Sequence, residues 1–304
     1  MKKKALATFL SVCMLATVAV PTAIVSATTD SGDAGTSSNQ PTEQKSITVT
    51  KDESSAQFDS LEDALSAAEE GSTITLNENI TVTQRAYITK GITLNGNGHS
   101  IAGVGDFSSS SNPAVVLIDT DNAVVLSDLS IIGGTSNKFP LNIYTSPNVT
   151  LNNVSVTNVF TNGGAMLVNA SSVTVTGNLS VSTAAGSWYG INVDSGVGVE
   201  STAPILTFAA GSKMTYANTD DGSYNAEGPA AICVDKPTQY TNAIAGYEEA
   251  GLAEPTRNEK QQDLYYLAQA ADVEVSEVTL DQTAVTLKSG ETVQLHATVN
   301  PENA

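Results

Sequence analysis

Short apolar segments of Val, Ile, Leu and Thr alternate with polar residues along most of the chain, and turns of Asn, Gly, Asp and Ser separate them. A period of two predicts half-buried β-strands. The clearest unit is a strand, a bend and a second strand, and it occurs three times, as VVLSDLSI (124–131), VTLNNVSV (149–156) and VTVTGNLSV (173–181). Recurrence of one unit at this spacing indicates a repeat architecture.

The bends and the preceding segments predict how the repeats pair. Asp128, Asn153 and Asn178 occupy the bends, where a short polar side chain tolerates left-handed backbone. A further strand precedes each of the three units, at 115–118, 141–144 and 166–168, and similar strands recur at 190–193 and 231–234. Because such short strands cannot satisfy their hydrogen bonds within one repeat, they must pair with equivalent strands of the next repeat. A coil of parallel strands is therefore expected, and an antiparallel sandwich is the alternative.

Helical patterns flank the repeats. The sequence DSLE at 59–62 predicts a capping box with Asp59 as the capping residue and a short helix that stops at Gly71. The sequence TRNE at 256–259 is a second capping-box pattern, and residues 239–273 are therefore predicted to form a helical cap or linker.

The segment from about 58 to 235 resembles the right-handed parallel β-helix of pectate-lyase-like proteins, on the repeated strand–bend–strand units described above. The resemblance implies an all-β fold, with a β-helix domain over residues 47–238 and short helical caps. It is specific for architecture and uninformative about function, because this fold carries lyases, hydrolases, adhesins and inert stalks.

Residues 275–280, 283–288 and 291–299 alternate again and predict three short strands at the start of a β-sandwich. The sequence VTL at 278–280 and 285–287, followed by GET at 290–292, resembles the opening of a bacterial immunoglobulin-like group 2 domain. We expect an incomplete domain of this kind over residues 274–304, since three isolated strands cannot close a core.

The N-terminal residues indicate export. Three lysines precede an apolar run over 5–25, and small residues at 25 and 27 complete a secretory signal peptide over 1–27. An uncleaved membrane anchor and lipidation at Cys13 are the alternatives. Residues 28–46 are polar and predict a disordered linker. The chain is expected to be secreted or on the bacterial cell surface, with no membrane span after cleavage.

Net charge and cysteine content limit the classes of protein to which the chain can belong. The chain carries 32 acidic and 13 basic residues, a net charge of −19, which excludes a basic nucleic-acid binder. After signal cleavage only Cys233 remains, so no internal disulfide can form. Cys233 lies in an apolar strand and is expected to be a buried, inert thiol.

Lyase chemistry is disfavoured by the distribution of cations. As the resemblance implies, lyases of this fold use a strongly basic residue, often with calcium. From residue 101 to residue 234 the chain has no Arg or His, and its only lysines are Lys138 and Lys213. Arg85 and His99 lie in the early repeats, where surface or cap roles are expected.

Candidate ligand-binding residues follow the repeat. One polar position comes after the first strand of each repeat, and its members are Asp119, Thr145, Asn169, Asp194 and Asp235. Stacked in a coil, these side chains would form a column that caps turns or, alternatively, holds calcium or a sugar. Trp188 and Tyr189 precede a strand, where an exposed aromatic pair could stack on a sugar ring or pack a loop.

Two functional hypotheses follow. The first is a non-enzymatic adhesive, glycan-contacting or stalk module whose partner is an extracellular glycan or a host or cell-wall surface. Its ligand-binding candidates are Trp188, Tyr189, Asn169, Asp194 and Asp235, with no catalytic residue and no cofactor other than the calcium alternative. The second is a carbohydrate-active enzyme, a glycoside hydrolase or polysaccharide lyase, that uses carboxylates such as Asp194 and Asp235.

Overall fold

The computed structural model describes residues 45–107, 113–184, 186–196, 198–218, 230–268, 277–282, 284–290 and 292–300. The predicted signal peptide lies outside the described residues, and so does the predicted linker except for Lys45 and Ser46. Within the described ranges, no helix has both the length and the apolar character needed to cross a membrane.

The described part of the chain is nearly all β, with one helix and 23 strands. The helix is α1 (Leu61–Ala67). The strands are β1 (Ile47–Lys51), β2 (Ser54–Phe58), β3 (Thr73–Leu76), β4 (Ile80–Val82), β5 (Ala86–Ile88), β6 (Thr93–Asn95), β7 (Ser100–Gly103), β8 (Val116–Ile118), β9 (Val124–Ile132), β10 (Leu141–Tyr144), β11 (Val149–Asn158), β12 (Gly164–Asn169), β13 (Ser172–Val175), β14 (Asn178–Thr183), β15 (Tyr189–Asp194), β16 (Ile205–Phe208), β17 (Lys213–Asn218), β18 (Ile232–Val234), β19 (Ile244–Ala245), β20 (Thr256–Arg257), β21 (Asp263–Tyr265), β22 (Glu277–Leu280) and β23 (Ala297–Asn300).

Two large sheets contain most of these strands, and most of their pairs are parallel. The first sheet has 13 strands, with the main order β19-β16-β13-β11-β9-β6-β3-β1-β2. The second has eight, in the order β20-β21-β18-β15-β12-β10-β8-β5. Along both sheets a strand pairs with its equivalents in the preceding and following repeats. The predicted parallel pairing between repeats is therefore confirmed.

The register follows the sequence repeat closely. Val149 lies opposite Val124 on one side and Val173 on the other, as the aligned units predict. Beyond the three aligned units, Val173 lies opposite Leu206 and Val175 lies opposite Phe208. The parallel register therefore continues into β16.

Side chains in register stack into apolar columns that form one buried core. In the first sheet one column contains Ile74, Leu94, Leu126, Leu151, Val175 and Phe208. In the second sheet a column contains Ile88, Ile118, Ile143, Val168, Val193 and Val234. Burial of each such side chain contributes about 1.5–3 kcal/mol, and this contribution recurs in every repeat.

The predicted bends have the expected backbone in two of three repeats. Asp128 and Asn153 adopt φ values of 47° and 53°, and the Asn153 side-chain amide donates to the Asp128 carboxylate at 3.0 Å. Asn178 does not adopt a positive φ. The third unit has one more residue, Gly177. Its backbone lies so close to the preceding repeat that a Cβ there would be 2.3 Å from the side-chain oxygen of Asn152.

The N-terminal end of the first sheet carries an antiparallel hairpin and the helix. Strand β1 pairs with both β2 and β3. Ser60 caps α1 by accepting a hydrogen bond from the Asp63 amide at 3.1 Å, so the capping residue is one position later than predicted. Leu61 and Ala64 of this helix are buried against the core.

The helix predicted within 239–273 is wrong for the described residues 239–268, which contain turns and the strands β19, β20 and β21. Gly246 and Gly251 have positive φ, which breaks any helical continuation. Strand β21 pairs antiparallel with β18 at the end of the second sheet. An open sheet edge offers a full set of backbone partners, and this outweighs the weak helical pattern.

The C-terminal residues form a small sheet of their own. Strands β22 and β23 pair antiparallel, and residues 289–290 form a turn. The strand predicted over 283–288 is not formed within the described residues 284–288. Val278, with 58% of its surface exposed, illustrates that the apolar side chains here are not buried as a sandwich core would bury them.

A substitution tests the importance of the left-handed bend. Asn153→Val should lower the free energy of unfolding by about 1–3 kcal/mol, because a β-branched side chain resists positive φ. Asn153→Gly removes the same side-chain hydrogen bonds without that strain and should cost less. Asn178→Val is the matched control, expected within about 0.5 kcal/mol of the wild type at this exposed site. Denaturant unfolding measures all three, and equal losses at positions 153 and 178 would contradict the interpretation.

Candidate functional site

The polar column predicted along the second sheet is present, with one member changed. The residues that end or follow the successive strands β8, β10, β12, β15 and β18 are Asp119, Tyr144, Asn169, Asp194 and Asp235. Strand β10 extends to Tyr144, which is in register with Asn169, so Thr145 falls one residue beyond its predicted place. The Thr145 hydroxyl nevertheless donates to the Asp119 carboxylate at 2.8 Å.

Asn169 and Asp194 brace neighbouring turns. The Asn169 side-chain oxygen accepts a hydrogen bond from the Gly196 amide at 2.8 Å. Asp194 forms an ion pair with Lys236 at 2.9 Å, and the same ammonium donates to the Ser195 carbonyl at 2.9 Å. This lysine therefore ties the end of β15 to the segment that follows β18 in the next repeat.

Asp235 lies at the centre of a second hydrogen-bond cluster. One of its carboxylate oxygens accepts from the Asn192 amide at 3.1 Å, and the other accepts from the Gln262 amide. The Tyr189 hydroxyl donates to the Gln262 side-chain oxygen at 3.2 Å. Gln262 is in turn held by Asn258, which donates to it at 2.8 Å. The turn before β21 is thus fastened onto the outer face of the second sheet.

Burial and neighbouring carboxylates raise the pKa values of three groups near Asp194 and Asp235. Burial raises the pKa of Tyr189 to about 12, and the nearby Cys233 thiol adds to the effect. The Cys233 side chain is buried, and burial together with Asp235 raises the pKa of its thiol. The hydrogen bond to Asp194 raises the pKa of Lys236. Cys233 is therefore a buried thiol that stays protonated, as predicted, and Lys236 stays a cation.

Trp188 and Tyr189 have different surroundings although they are adjacent. The Trp188 ring is 41% exposed, whereas Tyr189 is half-buried in the Asp235 cluster. The Lys138 ammonium lies 4.4 Å from the centre of the Trp188 ring, and Phe139 contacts the same ring edge-on with centroids 6.5 Å apart. These three residues form a small aromatic and cationic platform, called here the Trp188 platform.

Several of these residues were not predicted from the sequence. Lys138 was noticeable as one of two lysines between residues 101 and 234, and Phe139 follows it directly. Lys236 and Gln262 carry no motif, and only the strand register brings them to Asp194 and Asp235. Their proximity depends on pairs separated by 42 and 27 positions, which no local pattern reports.

The partners of the acidic side chains bear on whether the polar column could bind calcium. Calcium binds sites rich in carboxylate and carbonyl oxygens. Within the described residues, no group of three or more His, Cys, Asp or Glu side chains is placed to share an ion. Asp194 instead has a lysine as its partner, and a cation in that place competes with a metal.

The pKa of Tyr189 gives a testable pH dependence. Because the folded-state pKa of about 12 lies above the ordinary tyrosine value of 10.0, the unfolded chain loses this proton first. The resulting stabilisation is complete below pH 10 and is lost as the pH rises towards 12. In Tyr189→Phe, the fall in the free energy of unfolding over this range should be smaller than in the wild type. Denaturant unfolding below and above pH 10 measures it, and an identical fall would contradict the assignment.

Comparison with known proteins does not assign the chain to a family. No protein-family model matches the chain, and neither curated proteins nor solved structures give a match.

Proposed function

We propose that residues 47–238 form a right-handed parallel β-helix of the pectate-lyase-like kind, and that the chain is a secreted or cell-surface, non-enzymatic module that contacts glycans. Parallel pairing between successive repeats supports the β-helix. Left-handed backbone at Asp128 and Asn153 supports it too, because a residue of this conformation lets the chain bend within β9 and within β11.

The non-enzymatic proposal rests on one observation: the carboxylates of Asp194 and Asp235 already have partners within the protein. A glycosidase needs an acid and a base or nucleophile that face a scissile bond, with different protonation states. Asp194 pairs with Lys236, and both oxygens of Asp235 accept hydrogen bonds from amides. These contacts join one repeat to the next, and a substrate would have to displace them.

The Trp188 platform supports contact with a glycan. An exposed indole offers a flat face for the apolar side of a sugar ring. The Lys138 ammonium beside it can donate to sugar hydroxyls. A protein with a net charge of −19 repels a polyanion at long range, so a neutral glycan is the preferred partner at this platform.

Modular organisation supports a role at the cell surface. The N-terminal pattern is that of a signal peptide, and residues 274–304 are proposed to begin a bacterial immunoglobulin-like group 2 domain. A stack of repeats extends along one axis and makes a rigid spacer. We therefore propose that the β-helix holds the Trp188 platform away from the secreting cell or from the matrix to which the protein attaches.

A carbohydrate-active enzyme is the second candidate, because one observation favours it. Asp194 and Asp235 follow neighbouring strands in the column, and adjacent strands lie about 4.8 Å apart. Retaining glycosidases hold their carboxyl groups at about 5–5.5 Å. If these two residues act together, the Lys236 ion pair must open when substrate binds.

A binding experiment tests the glycan-contacting proposal. The full chain is screened on a glycan array, and the best neutral oligosaccharide is titrated by calorimetry. Trp188→Ala should weaken its affinity roughly tenfold, because the stacking face is lost. Ile205→Ala removes an exposed apolar residue from the first sheet and should leave the affinity unchanged. Equal affinities for wild type and Trp188→Ala would contradict the platform.

A turnover assay separates the two candidates. The oligosaccharides that bind are incubated with the protein, and reducing ends and unsaturated products are measured. The non-enzymatic proposal predicts no product. Turnover that disappears in both Asp194→Asn and Asp235→Asn, with thermal unfolding unchanged, would establish the enzyme instead.

A further inference from the structure

The chain contains three Asn-Gly pairs, at 95–96, 97–98 and 162–163. Asparagine followed by glycine is the pair most prone to spontaneous deamidation, because glycine has no side chain to hinder attack of its backbone nitrogen on the preceding side-chain amide. All three pairs lie within the described residues. Their surroundings differ in the hydrogen bonding of the glycine N–H, and this group takes part in the reaction.

Hydrogen bonds to the next repeat protect the first two pairs. The Gly96 N–H donates to the Ser127 carbonyl at 2.8 Å, and the Gly98 N–H donates to the Asp128 carbonyl at 2.9 Å. The glycine nitrogen must lose its proton to attack, and a hydrogen bond donated by that N–H favours the protonated form. Both nitrogens are therefore poor nucleophiles.

The third pair lacks this protection. Within the part of the chain that the structure describes, neither the Gly163 N–H nor the Asn162 side chain forms a hydrogen bond. Asn162 is exposed, so its side chain can rotate towards the glycine nitrogen. Asn97 is exposed as well, and the hydrogen bond at the following glycine is therefore what distinguishes these two pairs.

The fold requires glycine at position 163. A Cβ there would overlap the Lys138 carbonyl oxygen, so no larger residue can follow Asn162 without a shift of backbone. The Gly163 carbonyl accepts a hydrogen bond from the Trp188 N–H at 2.8 Å. The Lys138 ammonium lies over the Trp188 ring. The reactive pair is therefore in contact with both the lysine and the tryptophan of the Trp188 platform.

The loop that contains Asn162 has fixed ends. The buried side-chain amide of Asn158 donates to the Gly164 carbonyl at 2.6 Å and to the Lys138 carbonyl at 3.3 Å. Its side-chain oxygen accepts from the Phe160 N–H at 3.0 Å. A short loop held in this way cannot become longer without moving the residues at one of its ends.

The reaction needs no partner other than water. The Gly163 nitrogen loses its proton and bonds to the side-chain carbonyl carbon of Asn162, and the amide group leaves as ammonia with that proton. One water molecule then opens the resulting succinimide ring. Opening at the side-chain carbonyl gives aspartate. Opening at the main-chain carbonyl gives isoaspartate, in which the main chain runs through the Cβ and is one methylene longer.

From these contacts we infer that Asn162-Gly163 is a self-modification site, and that conversion of Asn162 to isoaspartate is a slow one-way switch that opens the Trp188 platform. The longer main chain displaces Gly163 from the Trp188 N–H. The new carboxylate competes with the indole for the Lys138 ammonium. The modification follows from the structure alone, whereas its effect on glycan binding rests on the proposed function.

Ageing of the full chain at mildly alkaline pH tests the site. Peptide mapping by mass spectrometry, with fragmentation that distinguishes isoaspartate from aspartate, gives the deamidation rate at each pair. Asn162 should react roughly fivefold faster than Asn95 and Asn97, because only the glycines after those two have hydrogen-bonded N–H groups. Equal rates in the folded protein would overturn the site. In concentrated denaturant the rates should converge, and a preference that persists there would overturn the structural argument.

Tryptophan fluorescence reports on the platform directly, because Trp188 is the only tryptophan in the chain. In the wild type its emission should shift to longer wavelength in step with the isoaspartate content at position 162. Asn162→Gln is the matched control, since glutamine keeps the amide but deamidates far more slowly through a larger ring, and its emission should stay constant. The same drift in both proteins, or constant emission of the converted wild type, would overturn the switch.

Asn162→Asp separates the new charge from the longer main chain. It introduces the carboxylate without the extra methylene, so its emission should shift less than that of the isoaspartate form. Thermal unfolding confirms that the variant is folded. An equal shift would overturn the role of the longer main chain.

Binding of the neutral oligosaccharide separates the switch from the proposed function. Aged wild type should bind roughly tenfold more weakly than fresh protein, because the stacking face is displaced, and aged Asn162→Gln should bind as the fresh protein does. Equal affinities of fresh and converted wild type would overturn the switch. If fresh protein binds no glycan, the proposed function fails, whereas a fluorescence shift that tracks isoaspartate still supports the switch.

Discussion

Backbone pairing between equivalent strands of successive repeats is the constraint on which the rest of the structure depends. The strands of the second sheet are three to six residues long in the repeats, and their partners lie in the neighbouring repeats. A repeat alone would leave those N–H and C=O groups without protein partners, at a cost that no short strand can offset. The register is then fixed by the alternation, because a slip of one residue would expose every core side chain.

The same constraint limits where function can lie. Positions that recur in each repeat are committed to the core, to the bends or to contacts between repeats, and the carboxylates of the polar column are among them. Residues that do not recur are free of that role. The Trp188 platform, by contrast, lies at the entry to β15.

The repeat, the parallel pairing and most of the register could be predicted from the sequence, because they depend on alternation and spacing that recur several times. The buried state of Cys233 followed from its apolar neighbours. The C-terminal segment of the sheets could not be predicted, because its helical pattern competes with an open sheet edge that exists only after folding. Residues 239–268 consequently pair as strands and form turns.

The candidate sites were predicted only in part, for a related reason. Asp194, Asp235 and Trp188 stand out as chemical types in the sequence. Their partners Lys236, Gln262 and Phe139 do not, because the contacts depend on the relative position of distant segments. The place of Thr145 was wrong by one residue because β10 continues one residue further, to Tyr144.

Parallel pairing in register means that each repeat should add one strand spacing along a common axis. Spin labels attached at Thr73 and at a second position, in a Cys233→Ala background, test it by pulsed electron resonance. Thr150, Thr174 and Thr207 lie in the same register column as Thr73, at successively later repeats. The account predicts that the distance between the labels grows by about 4.8 Å at each step from Thr150 to Thr174 to Thr207. Distances that do not increase in this order would contradict it.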